Sequence, residues 1–202
     1  FWRHEGNESL KNILALGSAA CDIVDSLKKY ETYNIYKINT KESKSKNEYT
    51  IPEMNSAEDY EDLNILPKIK FLKDIKEEVT FFVCGASRPS SLSLKLLESL
   101  HKKGVKIKVV CFRPEVDFLS EEQLLQERAV SGILQQYARS GLFEDITLVS
   151  NKVLEGFVDS INVFDYYKQI NDIFCDSYHM LEVFKNTRPV MSTFSRIRNP
   201  AG

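Results

Sequence analysis

A chain of 202 residues is long enough for one large domain around a substantial core, and its 43% hydrophobic and 28% charged residues are ordinary for a globular protein. The formal net charge of -2 excludes a global electrostatic pull toward nucleic acid or anionic lipid. No apolar run approaches the roughly 18 to 20 residues needed to span a bilayer, and no signal-peptide pattern opens the sequence.

Residues 1–10 are polar and read as peripheral. Phe1 stands where methionine would, so a missing or processed N-terminal piece is expected. Residues 11–16, K-N-I-L-A-L, read as a first strand running into the turn Gly17-Ser18-Ala19-Ala20. Residues 21–30 follow as a helix with Ile23, Val24 and Leu27 on one face. A second strand, 33–38, ends at Asn39-Thr40. The run 41–48, K-E-S-K-S-K-N-E, is a charged solvated loop, and an acidic stretch at 56–64 precedes a helix expected over 65–75.

The chain is organised around residues 79–104. The run V-T-F-F-V-C at 79–84 suits a central strand of a parallel sheet covered on both faces. Gly85 breaks it, Pro89 fits the first turn of a helix, and Ser87, Ser90 and Ser91 flank that proline as caps. Leu92, Leu96, Leu97 and Leu100 recur at helical spacing until Gly104 ends the helix.

A further strand over 105–112 reaches Arg113-Pro114. Ser120 opens a capping box with Gln123, and its helix runs to about Arg139 with Leu124, Ala129, Ile133 and Leu134 inward. A strand at 146–149 leads into Ser150-Asn151-Lys152. One long helix is expected over 162–185, with Phe164, Tyr167, Ile170, Phe174, Tyr178 and Leu181 as its apolar stripe; by spacing alone Tyr167 is as readily a core residue as a ligand contact. The basic tail, with Lys185, Arg188, Arg196 and Arg198, reads as solvated surface. Strands alternating with helices argue for an α/β sandwich with a mostly parallel sheet.

Cys21, Cys84, Cys111 and Cys175 are scattered without a C-x-x-C pair and read as reduced core residues of an intracellular protein. His4, His101 and His179 share no ligand-like spacing, so no metal site is expected. Two turns, 17–22 and 85–91, combine small residues with a helix start, an arrangement that can bind phosphate through backbone N–H groups. L-G-S-A-A-C-D lacks G-x-G-x-x-G, no acidic residue ends the second strand and no Walker A motif occurs, which argues against a dinucleotide-dependent oxidoreductase.

Over residues 11–187 the order of elements resembles the nucleotide-binding domain of the tubulin/FtsZ superfamily. The family's first loop, G-G-G-G-S-N or G-Q-x-G-x-Q, is similar to Gly17-Ser18-Ala19-Ala20-Cys21-Asp22, and its I-N-T-D to Ile38-Asn39-Thr40-Lys41. Its G-G-G-T-G-[ST]-G falls on Gly85-Ala86-Ser87-Arg88-Pro89-Ser90-Ser91, and an asparagine after a later strand falls on Asn151. The core-helix pattern D-A-F-G-A-A-N-D resembles Asp165-Tyr166-Tyr167-Lys168-Gln169-Ile170-Asn171-Asp172. The resemblance implies a Rossmann-like three-layer sandwich with a long core helix. It further implies a GTP or GDP site formed by these two loops with Asn151, Tyr167 and Asn171, with Mg present only alongside nucleotide. In such a site Tyr167 stacks on guanine while Asn171, one turn on, and Asn151 pair with the base edge.

The phosphate end departs from the family pattern. Of the signature glycines only Gly85 remains, Pro89 cannot adopt a positive φ, Arg88 replaces threonine and Lys41 replaces the aspartate linked to the metal. Arg88 either supplies charge to a phosphate or simply fills the space. Where the family's catalytic loop reads N-x-D-x-x-D, this chain has Met191-Ser192-Thr193-Phe194-Ser195-Arg196, so Thr193 and Arg196 stand for the two acids. No catalytic residue is therefore assigned, and GTP hydrolysis is expected to be very slow or absent. The sequence also stops where the family continues into an activation domain, which implies either a minimal form or a missing remainder.

The resemblance thus implies a cytoplasmic structural or assembly protein that self-associates head to tail or within a larger assembly, a contact that propagates because it does not close. It would be a non-hydrolysing pseudo-GTPase with residual guanine-nucleotide binding. The alternative is a GTP-binding, polymerising cytomotive filament protein with slow GTPase activity. Neither membrane nor nucleic acid is expected as a partner.

Overall fold

Strict alternation of side chains along buried strands sorts the core into two halves, one on each face of a sheet. The computed structural model describes residues 2–3, 10–155, 165–186 and 188–189. The first half of the chain contributes β1 (Trp2–Arg3), β2 (Lys11–Leu16), α1 (Ser18–Asp25), β3 (Tyr33–Asn39), β4 (Glu48–Thr50) and α2 (Ala57–Asp62). Next come β5 (Glu78–Cys84), α3 (Ser93–Lys102), β6 (Lys106–Arg113), α4 (Glu121–Arg139) and β7 (Asp145–Ser150). Then follow α5 (Asn151–Glu155), α6 (Tyr166–Asn186) and β8 (Arg188–Pro189), which pairs antiparallel with β1.

The main sheet has six strands in the order β4-β3-β2-β5-β6-β7, every pair parallel. Leu14, Leu16, Phe81, Val83, Val109 and Cys111 face one side, where α3, α4, Tyr60 of α2 and the segment around Phe71 and Leu72 cover them. Ile13, Ala15, Phe82, Val110 and Phe112 face the other, under α1 and α6. Two helical layers and the sheet give the three-layer α/β architecture expected from the sequence, with the sheet wholly rather than mostly parallel. No described helix is long and apolar enough to cross a membrane.

Several local expectations are revised. The helix expected over 65–75 is two 3-10 turns, Leu66–Lys68 and Lys70–Lys73, because Pro67 starts the first and Ile69 between them is extended. The acidic stretch 56–64 contains α2, started by a capping box in which Ser56 and Asp59 satisfy each other's backbone N–H. The charged loop after β3 ends in the short strand β4. On α4 the Ser120–Gln123 capping box forms as read, but Ala129 is exposed and the buried residues are Glu127, Val130, Ser131 and Leu134. The helix over 21–30 is α1, which starts earlier at Ser18 and tightens into a 3-10 turn, Ser26–Lys29.

Helix α6 buries Ile170 and Cys175, while Tyr167 is 72% and Leu181 59% exposed. Steps of four residues drift slowly round a helix, so the inward stripe continues from Tyr178 to Glu182, whose carboxylate meets Lys11 at 2.8 Å, and leaves Leu181 aside. Phe164, the catalytic-loop stretch 191–196 and most of the basic tail lie outside the described residues. Aromatic edges hold α6 down: Phe82 meets Tyr178 at 5.5 Å and 86°, and Phe112 meets Phe174 at 4.9 Å and 79°. The Cys175 thiol donates to Ile23 O at 3.2 Å. At the helix rim Asp176 accepts from Tyr30 Oη at 2.7 Å and pairs with Lys29 at 2.5 Å.

All four cysteines are free, and burial pushes the Cys21, Cys111 and Cys175 thiols up to about 12.

Phe82→Ala empties the middle of the α6 interface and is expected to cost about 3–5 kcal/mol, read from urea unfolding. The Asp176 carboxyl is held below its ordinary range by hydrogen bonds from Lys29 and Tyr30. Its contribution is therefore full above the unfolded value near pH 4 and is lost as pH falls through the folded value. Protection of the α6 amides relative to their intrinsic exchange rates should fall on acidification below about pH 4, and Asp176→Asn should abolish that component.

Candidate functional site

In a parallel sheet wound in both directions, ligands meet the carboxyl ends of the strands where the winding reverses. Here the reversal lies between β2 and β5, whose following turns begin at Gly17 and Gly85. Gly17 has φ 86 and ψ 161, a region open essentially to glycine alone, and its N–H donates to Ile38 O at 2.9 Å. A Cβ on Gly17 would lie 3.2 Å from Ser87 Oγ, so the two turns touch.

The turn after β5 satisfies its own polar groups. Ser87 Oγ donates to Cys84 O at 2.9 Å, Ser90 Oγ to Ser87 O at 2.6 Å, and Ser91 Oγ to Ala57 O at 2.7 Å. Pro89 sits in the first turn of a 3-10 segment, Arg88–Leu92, that runs into α3. Ser90 and Ser91 are buried, so neither hydroxyl faces the crevice. Arg88 makes a two-pronged contact with Glu122 at the start of α4: Nε to Oε1 at 2.9 Å and Nη2 to Oε2 at 3.3 Å. That bond raises the Arg88 guanidinium and lowers the Glu122 carboxyl from their ordinary ranges. Beneath Gly85 lies Glu127, 4% exposed, its Oε1 2.6 Å from Arg113 Nε.

Two clefts open at this edge of the sheet, the first over the turns after β2 and β5 and the second over the ends of β6 and β7. One, of about 430 Å³, is lined by Ser18, Thr40, Ala86, Ser87, Arg88 and Pro89, with Glu53 and Glu122 on its wall. The other, of about 520 Å³, is lined by Asn151, Tyr166 and Tyr167 together with Pro114, Phe118 and Leu119. Gln123 lines both. Each volume is within the range of small-molecule sites. Tyr166 and Tyr167 pack edge to face at 5.0 Å, and Phe118 is 82% exposed.

The structure therefore brings Asn151 and Tyr167 to one cleft and Ser18, Ala86, Ser87 and Arg88 to its neighbour. Asn171 is half-buried one turn after Tyr167 and does not line either cleft. Ala20 and Cys21 are buried in the core under the sheet, while Ala19 and Asp22 are exposed, with Asp22 3.7 Å from Lys41. Sequence reasoning missed Glu122, Gln123 as a cleft residue, and Phe118. For Phe118 a signal was present, a large apolar residue inside the polar turn R-P-E-V-D-F; for Glu122 there was none.

Tested against a nucleoside triphosphate, the base-side cleft fits: an exposed ring, an amide and apolar walls. The phosphate-side cleft does not, because the Ser87 hydroxyl donates to Cys84 O and Arg88, the cation on its described wall, is held by Glu122.

No protein-family model matches the sequence, and no curated protein matches it either. Solved structures do match. A GTPgS-bound protofilament of CetZ2 from Haloferax volcanii gives a TM-score of 0.70 at 14% identity, covering 91% of this chain and 61% of that one. An empty FtsZ dimer from M. jannaschii gives 0.71 at 12%, covering 93% and 58%. A protofilament of TubZ from Bacteriophage PhiKZ gives 0.55 at 14%, covering 86% and 58%. The chain has the fold of the tubulin/FtsZ GTPase domain. It spans about three fifths of the length of the chains it matches.

Gly17→Ala forces a side chain into a glycine-only conformation and against Ser87. It is expected to destabilise by about 1–3 kcal/mol, read from the urea midpoint.

Proposed function

We propose that this chain is a tubulin/FtsZ-like structural or assembly protein of the cytoplasm that self-associates and does not hydrolyse GTP, with residual guanine recognition at the base side. The observation that carries the reading is the split between the two clefts. The 520 Å³ cleft offers Tyr167 for stacking and Asn151 for hydrogen bonding, as a purine needs. The neighbouring cleft has an Arg88–Glu122 ion pair and a Ser87 hydroxyl spent on Cys84 O where phosphates would lie. Transfer of a phosphoryl group to water depends on positioned charge around the phosphate, and this arrangement withholds it.

Two of the similar structures are protofilaments, of CetZ2 and of TubZ, which supports head-to-tail self-association for this chain. The second reading, a polymerising filament protein with slow GTPase activity, is favoured by the accessible Tyr167 and by the GTPgS carried by that CetZ2 protofilament.

Purified protein should sediment as assemblies with or without GTP and release no phosphate above background. Phosphate release coupled to assembly would favour the second reading, and a monomer under all conditions would remove both. Tyr167→Ala should weaken binding of guanosine at least tenfold, about 1.4 kcal/mol, with an unchanged unfolding midpoint.

A further inference from the structure

We infer that the crevice selects a guanine nucleoside carrying at most one phosphate over the nucleoside triphosphate, an inference that rests on the base-side reading above. Three observations on the phosphate side point the same way. The charged residues on the wall of the 430 Å³ cleft are Glu53, Arg88 and Glu122, so carboxylates outnumber cations. Arg88 is already engaged by Glu122 through two hydrogen bonds, and the second nearby cation, Lys41, faces Asp22 at 3.7 Å. A triphosphate would bring several further negative charges to this wall. Three N–H donors of Arg88 lie outside the pair, but its charge is already offset by Glu122, which would stand beside the incoming phosphates.

The backbone donors of the turn after β5 do not offset this, and those that remain lie at the start of α1, where no side chain caps the helix. Within the turn after β5 the Ser87 N–H donates to Cys84 O and the Ser90 N–H to Ser87 O, and the Gly85 N–H crosses to Phe112 O at 3.3 Å. The close approach of Ser87 to Gly17 also draws the two turns together at the point a phosphate chain would enter. The base and sugar meet none of these obstacles. Among the described residues the 520 Å³ cleft carries Glu115 as its one charged side chain, alongside aromatic and apolar walls and the Asn151 and Gln123 amides.

The two clefts thus differ in what they accept, and the Arg88–Glu122 pair is the element that makes the difference. Removing the carboxylate while keeping the shape should release Arg88 and lower the discrimination.

Calorimetric titration of the full chain with guanosine, GMP, GDP and GTP at fixed ionic strength tests this. Guanosine and GMP are expected to bind at least tenfold more tightly than GTP, and Glu122→Gln to shrink that ratio at least fivefold. GTP binding as tightly as guanosine would overturn the inference while leaving the base-side site standing. A ratio unchanged in Glu122→Gln would overturn the assignment of the selectivity to this pair. Absence of binding by all four ligands would overturn the base-side reading and the inference with it.

Discussion

The seating of α6 on the sheet is the contact on which the remainder of the architecture depends. A 21-residue helix is held by the edges of four aromatic rings, Phe82 and Phe112 from the strands and Phe174 and Tyr178 from the helix, with Cys175 closing against the backbone of α1. Rings packed edge to face fix both the distance and the roll of a helix, since a small rotation would turn the edges away from the faces they meet. That roll decides which residues of the first turn look toward the strand ends. Tyr167 is exposed because Ile170, Phe174 and Tyr178 are not free to turn outward. At the rim the exposed Lys29–Asp176 pair adds orientation more than stability, while the Lys11–Glu182 pair is partly buried.

From that constraint the two ends of the crevice diverge. The base-side cleft is built from rigid elements: the first residue of α5, the first turn of α6 and the proline after β6. Its neighbour is built from a turn that has closed on itself. A loop that cradles phosphate keeps its N–H groups pointing outward and pays the conformational cost with glycine. Here serine hydroxyls donate inward to Cys84, Gly85 and Ser87 carbonyls, and proline starts a 3-10 turn, so the stability of the turn comes from bonds that a ligand would otherwise make.

Much of this was legible in the sequence, and the pattern of what was not is physical. The β5-turn-α3 unit could be read because a doubly buried strand is apolar without interruption and an amphipathic helix repeats at fixed spacing. That Asn151 and Tyr167 share a site was implied by the resemblance to the tubulin/FtsZ family and not by spacing. Missed were features set by tertiary contact. Ala129 looks inward by periodicity, but Glu127 takes the buried place because Arg113 reaches it from β6. Ser90 and Ser91 look like ligand contacts, yet their hydroxyls turn inward. The Arg88–Glu122 pair joins residues 34 apart on different elements, a distance over which no spacing rule operates. Short elements such as β4 and α2 are small enough for local charge to hide them.

Gln123 stands in the wall common to both clefts, and its amide oxygen accepts the Ser120 N–H at 3.0 Å as half of the α4 cap. One lone pair of that oxygen is thereby spent on the cap, which leaves the second lone pair and the NH2 group as the polar functions the side chain still offers. The wall common to the two compartments is therefore fastened by the helix cap itself, so that fraying of the first turn of α4 would loosen both at once.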